Sequence, residues 1–280
     1  MGRIIAALFR HPSGRIGLTI IGVYLIAAVM GVLGLTPHGA LKQFPIDRLK
    51  PPGDIYWMGT DLLGRDTMSR LMVGIGQSLV IAFAAVAVAT VAGTIVGLVS
   101  AWWGSLWDGV LMRLMDVLLA FPAILLALLI IAIVGPGTMT SVVAIGIVYT
   151  PIFARVVRGP ALSLKQRDFV DAARTFGSSQ RYILSRHLLL NLVAPLAVQV
   201  TLALAWALLT EAGLSFLGLG TQPPTPSLGL MLAESKNLMQ RAPWLMIFPA
   251  LTIMLGILGF NLTGDALRDI LDPRTQRRTA

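Results

Sequence analysis

Charged residues cluster along this chain and leave five long stretches without any, at 16–36, 77–107, 117–154, 188–210 and 242–264. A run of about 18 or more apolar residues is long enough to cross the roughly 30 Å hydrocarbon core of a bilayer as a helix. The 117–154 stretch has 38 residues, room for two crossings, and Gly135-Pro136-Gly137 punctuates its middle as a turn. The pattern predicts six transmembrane helices, over roughly 14–35, 78–102, 111–134, 138–157, 190–213 and 244–264.

The connections differ in character. The first, 36–77, holds Pro37, Pro45, Pro51 and Pro52, which keep its first part extended or turned. Asp66 or Thr67 can cap a helix that passes Gly76 and runs on into the second span. Trp102, Trp103 and Trp107 suit either an interfacial belt or a packed turn. Arg155 and Arg158, at the end of the fourth span, have stems long enough to snorkel to headgroups. Between the fifth and sixth spans lies the irregular loop 214–243.

Composition agrees with this picture. Of 280 residues, 56% are hydrophobic and 12% charged, against roughly 25% charged in an ordinary soluble domain. The net charge of +9 is explained by topology. With the N-terminus in the cytoplasm, cytoplasmic segments collect 15 of the 22 Lys and Arg, as the positive-inside rule expects. Lys42, Arg48, Lys50, Arg65, Arg70, Lys236 and Arg241 fall outside, five of them in a loop shared with Asp47, Asp54, Asp61 and Asp66. Nucleic acid is not an expected partner. The first apolar run is longer than the h-region of a signal peptide, about 7–15 residues, so a retained first helix is expected. The organisation is a cytoplasmic segment 1–13 and one membrane domain, 14–280, with outward loops 36–77 and 214–243, a cytoplasmic loop 159–190 and a cytoplasmic tail 265–280.

The stretch "DAARTFGSSQRYILSRHLLLN" (171–191) is the polar exception at the centre of the chain. Phe169, Ala172, Ala173 and Phe176 fall at i, i+3, i+4 and i+7, one apolar stripe on a short helix. Asp168 can cap its start, Asp171 lies near the positive end of its dipole, and Gly177 follows where a left-handed C′ residue is favoured. Ser178 or Ser179 can cap a second helix carrying Tyr182, Ile183, Arg186 and His187. Topology puts this helix–glycine–helix corner in the cytoplasm. Its first helix is read either as an interfacial helix on lipid headgroups or as a helix that inserts in a hydrophobic groove of a partner.

Catalytic chemistry finds little support. Cysteine is absent, and none of Lys42, Lys50, Lys165 and Lys236 follows glycine or precedes Ser or Thr as a phosphate-binding loop requires. His11 and His38 are assigned to opposite sides, with no metal-site spacing. His187 is read as a hydrogen-bonded element of the cytoplasmic loop. A Ser215/His187 pair is split by the membrane, and a secondary transporter would call for mid-membrane carboxylates or an inverted repeat. Glu211, near the outward end of the fifth span, and Asp116, beside Arg113 near the inward end of the third, are candidates for a translocation path or gate. Both are expected near an interface where water reaches them. Asp265, Arg268, Asp269 and Asp272 are expected to form a cytoplasmic end-cap.

The 171–191 stretch resembles the EAA loop of ABC-importer permeases: Ala172, Ala173, Gly177, Ile183, His187 and Asn191 match in register. Asp171 stands where the family usually has Glu, and Leu190 where it usually has Pro. "MGTDLLGRDTMSRLMVG" (58–74), "FPAILLALL" (121–129), "EAGLSFLGLG" (211–220) and "FNLTGDALRDILDPR" (260–274) are similar to the second permease subunit of dipeptide/oligopeptide/nickel importers. Relatives commonly carry an arginine at Gly76. The resemblance implies an all-α integral membrane protein of the bacterial inner membrane, with six transmembrane helices, both termini cytoplasmic and the type I importer fold. It implies a coupling helix between the fourth and fifth spans that docks on an ATPase, through Asp168, Phe169, Asp171, Ala172, Ala173, Phe176, Gly177, Arg181, His187 and Asn191. Phe216 joins Glu211 and Asp116 as a candidate for the path or gate. Implied partners are a homologous permease, two cytoplasmic ATPases that hold the ATP and Mg, an extracytoplasmic substrate-binding protein, and lipid. The chain itself is expected to hold no cofactor or metal. Peptides are the expected cargo, with nickel chelates, glutathione or another small solute as alternatives.

Overall fold

In the computed structural model, which describes residues 2–271, helices make up nearly all of the regular structure. They are α1 (Gly2–Arg10), α2 (Pro12–Val32), α3 (Thr67–Trp103), α4 (Ser105–Leu119), α5 (Ala123–Val134), α6 (Thr138–Lys165), α7 (Asp168–Thr175), α8 (Gln180–Tyr182), α9 (Leu189–Phe216), α10 (Leu228–Ser235) and α11 (Trp244–Leu271). A π-helical segment, Ile183–Leu188, joins α8 to α9. Thr60 and Asp66 form a single β-bridge. Asp272 and the rest of the C-terminal tail lie outside the described residues.

Five helices are long and apolar enough to cross a membrane: α2, α3, α6, the continuous Gln180–Phe216 helix and α11. The sixth crossing differs from the straight span expected over 111–134. It is a broken pair, α4 and α5, bent by 93°. Pro122 lies at the break with extended backbone. Proline offers no N–H to the preceding turn and disfavours helix in the residue before it. Alone, the 12 residues of α5 span about 18 Å, short of the hydrocarbon thickness. The all-α fold thus stands, with five spans and a sixth, the third in order, where this angled pair counts as one.

At 37 residues, α3 is about 55 Å long, longer than a bilayer core needs, so its first turns stand clear as the capped extension through Gly76. Asp66 is the cap, accepting from the Ser69 N–H at 2.9 Å. Below, α3 packs on α6 at close range. An added Cβ at Gly93 would come within 2.7 Å of the Thr150 carbonyl oxygen, and one at Gly97 within 2.5 Å of that of Ala154. This Gly-x-x-x-Gly face lets two backbones approach, which is how helices gain attraction where lipid removes the hydrophobic driving force. Ile81, Ala85 and Ala89 of α3 meet Ile145 and Phe153 of α6 and Ala203 and Leu208 of α9 in the main core.

A smaller core forms at the end of the bundle bearing the 166–180 segment, the inner end of the sequence-based topology. It joins Ala101 and Trp102 of α3, Val157 and Ala161 of α6, Val170 of α7, and Ile183, Leu188 and Leu192. The tryptophans divide: Trp102 is buried, while Trp103 and Trp107 are half-exposed. Arg155 and Arg158 both take carboxylate partners. Arg155 pairs with Asp116 at 2.5 Å and Arg158 with Asp108 at 2.5 and 2.6 Å, tying α6 to α4.

Candidate functional site

The corner at the inner end is built by local rules. Asp168 and Asp171 lie in the first turn of α7 and Arg174 in its last, the charge order that suits the helix dipole. Arg167, not Asp168, occupies the N-cap, and it makes no side-chain cap hydrogen bond. Asp168 is the first helical residue, so its contribution is charge rather than capping. The helix ends at Phe176, and Gly177 takes φ +76°. There the Gly177 N–H donates to the Arg174 carbonyl at 2.9 Å and the Ser178 N–H to the Ala173 carbonyl at 3.0 Å. These are the two bonds of a Schellman motif, which favours glycine at the left-handed position. Ser179 caps α8 by accepting from the Tyr182 N–H at 3.3 Å.

Beneath the corner lies a platform that pattern reading missed. The Trp102 indole N–H donates to Gln180 Oε1 at 3.3 Å. The Arg174 guanidinium sits 4.8 Å from its ring centroid. Lys165 Nζ donates to the Trp102 carbonyl at 2.6 Å and the Ala101 carbonyl at 3.2 Å, closing the open end of α3. A tryptophan near the end of one apolar helix, α3, and a lysine ending another, α6, were the available signals. Their meeting across 63 positions was not readable.

The predicted stripe splits in two. Val170 is fully buried and Ala173 half-buried against the platform, whereas Phe169, Ala172 and Phe176 point away. Phe176 is 88% exposed. Because the helix is anchored through Val170, its phenylalanines present a bare apolar face. His187 lies between Phe169 and Tyr182, with ring centroids 6.0 and 5.6 Å away. Its carbonyl accepts from Asn191 Nδ2 at 2.6 Å. Arg181 and Asp171 are exposed, and Asp171 pairs with Arg174 at 3.2 Å. With Leu190 in place of proline, the helix runs unbroken from Gln180 to Phe216 and accommodates the turn as the π-segment Ile183–Leu188.

The other candidates lie apart from the corner. Asp116 is half-exposed on α4, in its pair with Arg155. Phe216 ends α9 at the opposite, outer end, 39% exposed. Glu211 departs from expectation: it is fully buried among α3, α9 and α10 and is not solvated. Ser215 Oγ donates to its Oε1 at 2.7 Å. Also at the outer end, buried Arg70 pairs with Asp61 and, at 2.8 Å, with Glu234 of α10. Arg65 pairs with Asp61 at 2.6 Å, and the four side chains border a cleft of about 250 Å³. At the inner end, His11 approaches Asp269 at 3.7 Å. Among the described residues no cluster of His, Cys, Asp and Glu suits a metal ion.

The family described as "binding-protein-dependent transport system inner membrane component" matches residues 89–277. The chain is 43% identical over 267 residues to the dipeptide transport system permease protein DppC of Alkalihalophilus pseudofirmus, covering 95% of this chain and 88% of that one. It is 42% identical to a putative peptide transport system permease of Brucella abortus, covering 95% and 90%. It is also 42% identical to the glutathione transport system permease GsiD of Pectobacterium atrosepticum, covering 95% and 88%. In fold it is similar to the inward-facing MetNI methionine ABC transporter, with TM-score 0.59 and 18% identity over 73% of this chain and 97% of that one. An amino acid ABC transporter aligns with TM-score 0.53 and 17% identity, over 73% and 94%. The chain belongs to the inner-membrane permeases of binding-protein-dependent ABC importers, subunits that work with an ATPase and a substrate-binding protein.

Proposed function

We propose that this chain forms, with a homologous permease, the path by which peptides enter the cell, and that α7 is the point where an ATPase drives it. The observation that carries the reading is α7 itself, anchored from below by Val170 and bare above at Phe169, Ala172 and Phe176. An exposed apolar face on a short, rigidly cornered helix suits a groove in a folded partner. The Schellman corner and the continuous Gln180–Phe216 helix would pass a displacement of α7 into the membrane as a rigid-body movement. Asp168, Asp171, Arg181, His187 and Asn191 are assigned to the same docking region. Two ATPases would hold the ATP and Mg, and the substrate-binding protein would deliver cargo at the outer end. In this scheme 1–13, 159–190 and 265–280 lie in the cytoplasm and 14–280 forms one membrane domain. Asp116, on α4, is not offered as part of one path with Glu211 and Phe216, which share the outer end of α9.

Peptide is favoured as cargo because the similar proteins include permeases named for dipeptide and peptide transport. Glutathione, itself a short peptide, is the second reading, since permeases named for it are equally similar. The test is uptake by proteoliposomes holding the complete complex, with labelled dipeptide challenged by glutathione or a nickel chelate. Competition by unlabelled dipeptide alone supports the first reading; dominant competition by glutathione or the chelate replaces it. For the docking site, Phe176→Cys is expected to crosslink to cysteines placed along the ATPase groove, whereas the half-buried Ala173→Cys reacts poorly. Absence of any Phe176→Cys product across the groove would assign α7 to the lipid surface.

A further inference from the structure

The fully buried carboxylate of Glu211 lies where three elements of the outer end meet. Its own helix, α9, leads back without a break to the corner at α7. Ser215 Oγ donates to Glu211 Oε1 at 2.7 Å and accepts from the Thr221 N–H at 3.2 Å, which fastens the loop 217–227 between α9 and α10, the outer hairpin. The hydroxyls of Ser78 and Ser227 also face the carboxylate. Each of those hydroxyls accepts a backbone N–H from the start of α10: Ser78 that of Leu228 at 3.2 Å, Ser227 that of Leu230 at 3.3 Å. A hydroxyl that accepts an N–H has its own proton left to donate, and a carboxylate is the acceptor on hand. The carboxylate is therefore bonded to Ser215 of its own helix and faced by hydroxyls of α3 and of the cap of α10.

Packing holds the same elements together. An added Cβ at Gly229 would overlap the Ala212 carbonyl oxygen, so α10 lies directly on α9. The second carboxylate oxygen, Oε2, has no hydrogen bond of its own. A buried polar atom in that state is costly, and a small movement of α9 against α3 would bring the neighbouring hydroxyls within bonding range.

We propose that Glu211 is a positioning residue that transmits the movement of α9 to the outer hairpin and α10, so that the outer end changes state when the ATPase moves α7. The inference rests on the coupling reading above, and it places Glu211 off the path that cargo follows. Glu211 moves the outer end through its bond to Ser215 and the approach of Ser78 and Ser227, not by touching substrate.

The absence of cysteine in the chain makes single-site labelling direct. A fluorophore on Thr225→Cys, an exposed position of the hairpin, reports the outer end, and one on Phe176→Cys reports α7. Each is read in the full complex without nucleotide and with ATP trapped. Both reporters are expected to shift when Glu211 is present. In Glu211→Gln, which replaces one of the two acceptor oxygens by an amide donor, the Phe176→Cys reporter is expected to shift as before while the Thr225→Cys reporter loses its response. The pair Ser78→Ala with Ser227→Ala spares the carboxylate and is expected to give the same loss, which guards against a folding defect confined to Glu211→Gln. An undiminished Thr225→Cys response in both variants overturns the proposal. Failure of the Phe176→Cys reporter to shift with Glu211 intact overturns the coupling reading instead.

Discussion

Arg158 and Asp108 face each other across α6 and α4 as a two-pronged ion pair, with N···O distances of 2.5 and 2.6 Å. Ser100 of α3 donates to the same carboxylate. The pair is partly buried, with side chains 33% and 25% exposed, and it fixes the angle at which the bent α4–α5 hairpin joins the α3–α6 core. Arg158→Lys keeps the charge and loses the fork. It is expected to cost about 1.5 kcal/mol, the worth of one hydrogen bond to a charged group. Thermal unfolding in detergent checks this, and Arg158→Met should fall below Arg158→Lys.

Gly177 carries φ +76° with open space around its Cα, so a side chain there meets backbone strain and no clash. Gly177→Val is expected to cost about 1–3 kcal/mol locally and to distort the corner between α7 and α8. Membrane insertion should persist while transport-coupled ATP hydrolysis is lost. Gly177→Asn, which tolerates the left-handed region, should retain much of the activity. Substrate-stimulated ATP turnover of the purified complex separates the two variants.

Arg70 is 2% exposed and stands between Asp61 and Glu234. Removing it in Arg70→Met leaves Asp61 and Glu234 with Arg65 as their remaining cation and is expected to cost about 3 kcal/mol. The N-terminal turns of α3, the 58–66 segment and α10 should loosen together. Faster proteolysis of the 36–66 loop and a lower Tm are the expected readouts. Restoring neutrality by a simultaneous Glu234→Gln should recover part of the loss.

Tyr56 donates to Asp47 Oδ2 at 2.7 Å in the outer loop, and Lys50 also pairs with Asp47, at 2.5 Å. Hydrogen bonds from Lys50 and then Tyr56 hold the Asp47 carboxyl below its usual range, and the bond to Asp47 pushes the Tyr56 hydroxyl up to about 12. A depressed carboxyl stabilises the fold above its unfolded pKa, so this contribution fades as the pH falls below about 4. A raised phenol stabilises below its unfolded pKa, so that contribution fades as the pH rises from about 10 toward 12. Tyr56→Phe should flatten the alkaline limb and weaken the acid one. Emission from the neighbouring Trp57 across a pH titration measures both.

Much of the architecture was legible because it depends on neighbours close in the chain. Long uncharged runs meet the thickness of a bilayer, and Asp66 caps α3 within its own first turn. Gly177 and Ser178 close α7 by bonds to residues three and five positions earlier. The angled third crossing was missed because one proline in an apolar run leaves its hydropathy intact. The corner was found as a helix, a glycine and a helix, but the stripe was drawn across Ala173, which faces inward, and omitted Val170, which anchors it.

Composition and periodicity by themselves determined a membrane protein with six crossings and a polar corner between the fourth and fifth. They also excluded a phosphate-binding loop and any thiolate chemistry. Tertiary structure alone decided that Phe176 is bare, that Glu211 is dry, and that Arg158 belongs to Asp108 and Arg70 to Glu234. The reason is physical. Periodicity reports which residues share a face of one helix, reaching about four positions along the chain. Burial and charge pairing depend on which helices lie side by side, and glycines such as Gly93 and Gly97 set that through close backbone contact.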